Sequence, residues 1–223
     1  MSTAPLGDEE ILAEAKELAV RLTASLPDRI QISALTFKSK LPFKALAIRE
    51  LLIHRVSELA SSAVENFEIG RVVSGIALTR AVMETGALIF ELHRRVTQFL
   101  VDKNVEQFDS FLMISLMGSH NNADLPLAMN VLTVIDRMNK TIDGVRSTYD
   151  TLCEVTHPNW AGTMGSFGEI DKEKLELKLG SSDRATGFRV GVNALSGALM
   201  TFEHYYNALA ELTYRLNDHF ETL

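Results

Sequence analysis

The chain has one cysteine, one tryptophan, five prolines and 7% aromatic residues in 223 positions. A lone Cys153 excludes an intrachain disulfide and predicts a reducing compartment. Basic residues are also short: 22 against 29 acidic ones, a formal charge of −7. That balance argues against general double-stranded DNA binding, since such surfaces are normally basic. The N-terminus, M-S-T-A-P-L-G-D-E-E, is acidic where a secretory signal would be basic and then apolar. No uncharged apolar run approaches the roughly 18 to 20 residues that span a bilayer. The richest stretch, 75–92, is interrupted by Arg80, Glu84 and Glu91. The expectation is a soluble cytoplasmic protein with no membrane partner. Internal repeats and low-complexity segments are absent as well.

With 46% hydrophobic residues a core of useful size is available. The expectation is one all-α domain over 1–223, about seven helices with a small β-hairpin before the last long one. Asp8 is a good N-cap for a first helix over 8–26, with Ile11, Ala15, Leu18 and Leu22 at helical spacing before Pro27. The core bundle covers 42–160. Pro42 suits the first turn of a second helix to about Phe67, and a third runs over about 71–103. A fourth covers 105–117, and Pro126 opens a fifth ending near Asn139. Thr141 or Asp143 can cap a sixth. A glycine-containing loop and hairpin follow over 161–183. Leu175, Leu177 and Leu179 alternate with polar residues, which is strand periodicity, and 163–170 is the expected partner strand, with a short helix as the alternative for the second half. Ser181, Ser182 or Asp183 caps the last helix, over 184–219, where Gly187 and Gly191 permit close packing.

The candidate site centres on V-R-S-T-Y-D-T-L-C-E-V-T-H-P-N-W, 145–160. Pro158 disfavours helix at the residue before it, so His157 belongs at the helix C-terminus, where the backbone dipole favours an imidazolium. Arg146, Asp150, Glu154 and His157 share one side by spacing; Tyr149, Leu152, Cys153 and Thr156 share the core-facing side. Asn159 and Trp160 are the candidate ligand contacts. Arg80 and Glu84 sit one turn apart within the apolar stripe of the third helix, so they require partners from another helix. They form either a structural ion pair or polar groups aimed into a pocket. Glu154-x-x-His157 has di-metal ligand spacing, but only one copy exists, so neither metal nor cofactor is expected. Cys153 and His157 are also one turn apart; on an apolar face the thiol reads as a small buried hydrophobe. Arg49 and His54 match the arginine-to-histidine spacing of helical ribonucleases, a spacing that chance supplies in a chain of this composition.

Arg80-x-x-x-Glu84, followed by Tyr149-x-x-Leu152-x-Glu154-x-x-His157-Pro158, resembles a group of uncharacterised bacterial helical-bundle proteins loosely related to the HEPN superfamily. The resemblance covers about 42–160 plus the last helix. It implies an all-α fold, a homodimer paired through helices, and RNA or nucleotide binding or cleavage in a stress or defence role. In that reading Arg80 and His157 face a phosphate and Glu84 and Tyr149 orient them, with Glu154 the remaining candidate catalytic residue. His157 has no arginine at the family's usual spacing, a departure that leaves cleavage unassigned. The competing expectation is a non-catalytic interaction or dimerisation module whose polar cluster is structural.

Overall fold

The computed structural model describes residues 7–180 and 184–223. Among these the architecture is all-α, with one small antiparallel hairpin before the final long helix. The helices are α1 (Asp8–Ala24), α2 (Leu41–Glu68), α3 (Val72–Asp102), α4 (Val105–Met117), α5 (Val131–Asn139), α6 (Val145–Thr156), the single-turn α7 (Met164–Phe167) and α8 (Arg184–Glu221). Strands β1 (Gly168–Asp171) and β2 (Glu176–Leu179) follow α7. A 3₁₀ turn, Ile32–Ala34, lies in the connector before α2.

The central element is α3. It packs along α8 and α2, and receives α5 and α6 on its remaining side. Ile76, Ala87, Ile89, Leu92 and Val96 on α3 are fully buried, as helical spacing with apolar residues on several faces requires. This is the one described helix long and apolar enough to cross a bilayer, and 56% of its most apolar window is buried inside the bundle. The apolar character of α3 is that of a core helix. On the opposite flank α1 lies against α2 and α8, where Arg21 forks onto Glu203 with two bonds of 2.7 Å.

Several helix ends differ from expectation, each for a local reason. The N-cap of α1 is Gly7, whose N–H donates to Glu10 Oε2 at 2.8 Å, and the helix ends at Ala24 rather than Leu26. Pro126 does not open α5. Its carbonyl accepts from Ser119 N at 2.9 Å and Ala128 N donates to Ser119 O, so this segment bridges back to 119 instead of winding. The helix begins after Asn130, whose side chain accepts from Leu132 N at 3.0 Å. Neither Thr141 nor Asp143 is the N-cap of α6; Gly144 is, at φ 85°, a left-handed conformation natural to glycine. The expected strand over 163–170 is shorter: Phe167 N donates to Thr163 O, making α7, and only 168–171 pairs with 176–179. The expected caps of α8 lie outside the described residues.

Close packing at Gly191 agrees with expectation. A Cβ placed there would sit 2.7 Å from the ring of Phe67 and 2.8 Å from Ile76, where α8 crosses α2 and α3. Gly75 meets the same ring from α3 at 2.7 Å. By contrast, nothing lies within 4 Å of a Cβ added to Gly197, six residues along α8. Gly191→Ala should therefore lose about 1–3 kcal/mol through overpacking, while Gly197→Ala should gain up to about 1 kcal/mol from helix propensity. Urea denaturation of both variants checks this; shifts of the same sign would contradict the packing.

Candidate functional site

The third and sixth helices do bring Arg80, Glu84 and Tyr149 together. Tyr149 is buried, and its hydroxyl donates to Glu84 Oε1 at 2.7 Å. Arg80 Nε donates to the same oxygen at 3.2 Å, and its guanidinium carbon stands 5.6 Å from the Tyr149 ring centroid. Burial, reinforced by the hydrogen bond to Glu84, pushes the Tyr149 phenol up to about 12. The phenol thus stays a neutral donor at ordinary pH. One cation, one anion and one neutral donor make a charge-balanced clasp between α3 and α6, and none of the three lines either of the two main clefts.

The other expected members stand apart. His157 is the C-cap of α6, as Pro158 predicts, but its side chain is exposed and has no hydrogen-bond partner among the described residues. Eight residues separate it from Tyr149, about 12 Å along the helix axis. His157 therefore stands apart from the Arg80–Glu84–Tyr149 cluster. Glu154 accepts from Asn159 Nδ2 at 2.7 Å, and Asn159 Oδ1 accepts from Gly162 N, so this pair shapes the loop after the helix. Trp160 is 74% exposed and lies over Gly165. Arg146 is drawn off by Asp136 and Asp150. Arg49 and His54 diverge: Arg49 pairs with Glu50 and stacks 3.6 Å over Tyr206, while His54 Nε2 contacts the Pro27 carbonyl. No group of three or more metal-ligating side chains occurs among the described residues.

A different cluster gathers three arginines around one buried carboxylate. Glu91 on α3 is fully buried. Its Oε2 accepts from Arg94 Nε at 2.8 Å. Its Oε1 accepts from Arg94 Nη2 (2.7 Å), Arg95 Nε (2.9 Å) and Arg137 Nη1 (3.0 Å). Burial alone would raise the carboxyl pKa; the hydrogen bonds from Arg94 and Arg95 and the nearby guanidinium charges overcome this and lower it. Arg95 also lies 5.4 Å over the Phe111 ring of α4.

Two of these arginines open onto a cleft of about 700 Å³ between α3, α4, α5 and the 118–130 connector. Arg95 and Arg137 line it, with Phe111 and Ile114 of α4 and Leu127 and Met129 of the connector as an apolar wall. The terminal nitrogens of Arg95, and Nε and Nη2 of Arg137, have no acceptor among the described residues. Apart from Glu91, the only carboxylate among the lining residues is the exposed Glu106. A second groove, about 500 Å³, runs between α3, α6 and α8, and its only ionisable lining residue is Asp143.

Sequence reasoning registered Glu91 only as an interruption of an apolar stretch. Its spacing to Arg94 and Arg95, three and four residues, is a readable helix ion-pair signal. Arg137 lies 46 residues away and joins only through the fold. Comparison with known proteins adds nothing to this geometry: no family model, curated protein or solved structure matches the chain.

The lowered Glu91 pKa has a definite sign. Its contribution to stability is full above the ordinary carboxylate range and is lost as pH falls through the lowered folded-state value. Glu91→Gln leaves three arginines without their anion and should cost about 3 kcal/mol at neutral pH. The gap between variant and wild type should narrow as pH falls through the acid range. Chemical denaturation across pH reads this directly, and a gap independent of pH would contradict the assignment.

Proposed function

We propose that this protein is a helical-bundle binding protein that takes a phosphate-bearing small ligand of mononucleotide size in the Arg95–Arg137 cleft. The observation that carries the reading is the charge imbalance. A single buried carboxylate holds three guanidiniums, and two of them present unpaired N–H donors to an open cleft. Guanidinium N–H groups match phosphate oxygens in geometry and charge, and their strength increases in a partly desolvated site. Glu91 holds both side chains in place beforehand, which lowers the ordering cost of binding. The volume lies within the range of small-molecule sites, and the Phe111–Ile114–Leu127–Met129 wall suits a planar or apolar moiety attached to the phosphate.

The chain's charge of −7 disfavours a long polyanion and favours a small one. Binding, not cleavage, is the better-supported half of the HEPN-like expectation. The cleft-lining ionisable groups are Glu91, Arg95, Glu106 and Arg137, and no histidine is among them. His157, the expected proton-handling group, stands exposed at the end of α6.

Calorimetric titration with pyrophosphate and adenosine monophosphate at low salt tests the proposal. Binding should weaken as salt rises. Arg137→Gln and Arg95→Gln should each weaken it at least tenfold, by loss of a charge-assisted hydrogen bond worth about 1.5–3 kcal/mol. Absence of binding by both probes, or affinity unchanged in both folded variants, would contradict it.

A further inference from the structure

The hairpin stands out from the bundle, packing mainly on the single turn of α7. All four residues of β2 are exposed, and the apolar side chains Ile170, Leu177 and Leu179 are 61%, 52% and 79% accessible. A two-stranded hairpin with no third strand is marginal in water, and an uncapped apolar edge is a template for another strand.

The direction in which that edge points follows from the register. Gly180 N donates to Phe167 O at 2.7 Å, so 167 and 180 form a hydrogen-bonded pair. Alternation along an antiparallel ladder then makes 169–178 and 171–176 hydrogen-bonded pairs, and 168–179 and 170–177 non-hydrogen-bonded ones. Leu177 and Leu179 consequently turn their N–H and C=O groups away from β1, and no described residue outside the hairpin bonds them.

Charge then selects the occupant. Within the hairpin Glu176 sits directly opposite Asp171, a like-charge pair that is unfavourable. Lys178, opposite Glu169, is engaged by Asp171 at 3.4 Å and Glu169 at 4.0 Å. Take a second copy of β2 laid antiparallel about a two-fold axis at Leu177. Leu177 then opposes Leu177 of the other copy through the outward backbone groups, Glu176 opposes Lys178, and Lys178 opposes Glu176. The segment Glu176-Leu177-Lys178 is therefore self-complementary. The β1 edge is not, because the same operation about Ile170 sets Glu169 against Asp171.

We infer that β2 is a dimerisation edge that pairs with β2 of a second copy of this chain, giving a four-stranded sheet ordered β1-β2-β2-β1 across a two-fold axis. The inference uses no residue of the Arg95–Arg137 cleft and stands or falls separately from it.

Sedimentation velocity over a concentration series, paired with amide hydrogen exchange on the full chain, tests it. The protein should dimerise, and the Leu177 amide should gain protection as concentration rises. Glu176→Lys places a lysine beside Asp171, favouring the hairpin, but sets two lysines against each other across the axis. Dimer affinity should fall at least tenfold in that variant. The double variant Glu176→Lys with Lys178→Glu restores opposite charges across the axis and should recover it. A monomer at every concentration overturns the inference. So does a dimer that Glu176→Lys leaves unchanged, or one in which the Leu177 amide exchanges freely.

Discussion

One buried carboxylate constrains the middle of this molecule. Glu91 lies buried on the central helix, and an isolated ionised carboxylate in such a place costs several kcal/mol. The fold meets that cost by bringing Arg94 and Arg95 from the same helix and Arg137 from α5 onto its two oxygens. This ties α5 to α3 alongside the buried Val134 and Ile135, and the stacking of Arg95 over Phe111 extends the same connection to α4. Two walls of the cleft are thus joined through one group.

The contrast with the Arg80–Glu84–Tyr149 cluster shows why one polar group of α3 closes and the other opens. Glu84 meets one cation and one neutral hydroxyl, so its charge is balanced within the bundle. Glu91 meets three cations and cancels one charge, leaving an excess with donors free on the cleft side. Both devices join helices. Only the second turns its free donors into a cleft, and that difference carries the functional reading.

The fold was largely legible in the sequence because helical periodicity and caps are local signals. The bounds of α4 agree with expectation, α2, α3 and α8 agree to within one or two residues at the ends that were read, and Pro42 and Pro158 mark the boundaries that backbone geometry requires. The departures lie at element ends, where short-range bonds compete with the expected boundary. Pro126 resembles a helix start, yet its carbonyl is held by Ser119. The site was less legible because its partners come from distant parts of the chain. His157 was placed correctly at a helix end, but spacing along one helix does not say what faces that end across the fold. Glu91 and its two neighbouring arginines were readable as a helix ion pair; that Arg137 completes the set and that a cleft opens beside it follows only from how α5 packs.

The most direct test of the central claim is a crystal structure of the protein soaked with pyrophosphate at low salt. Difference density for the anion is expected within hydrogen-bonding distance of both Arg95 and Arg137, with Glu91 still holding all three guanidiniums. An empty cleft, with the anion bound elsewhere or displacing Glu91 from its arginines, would contradict it.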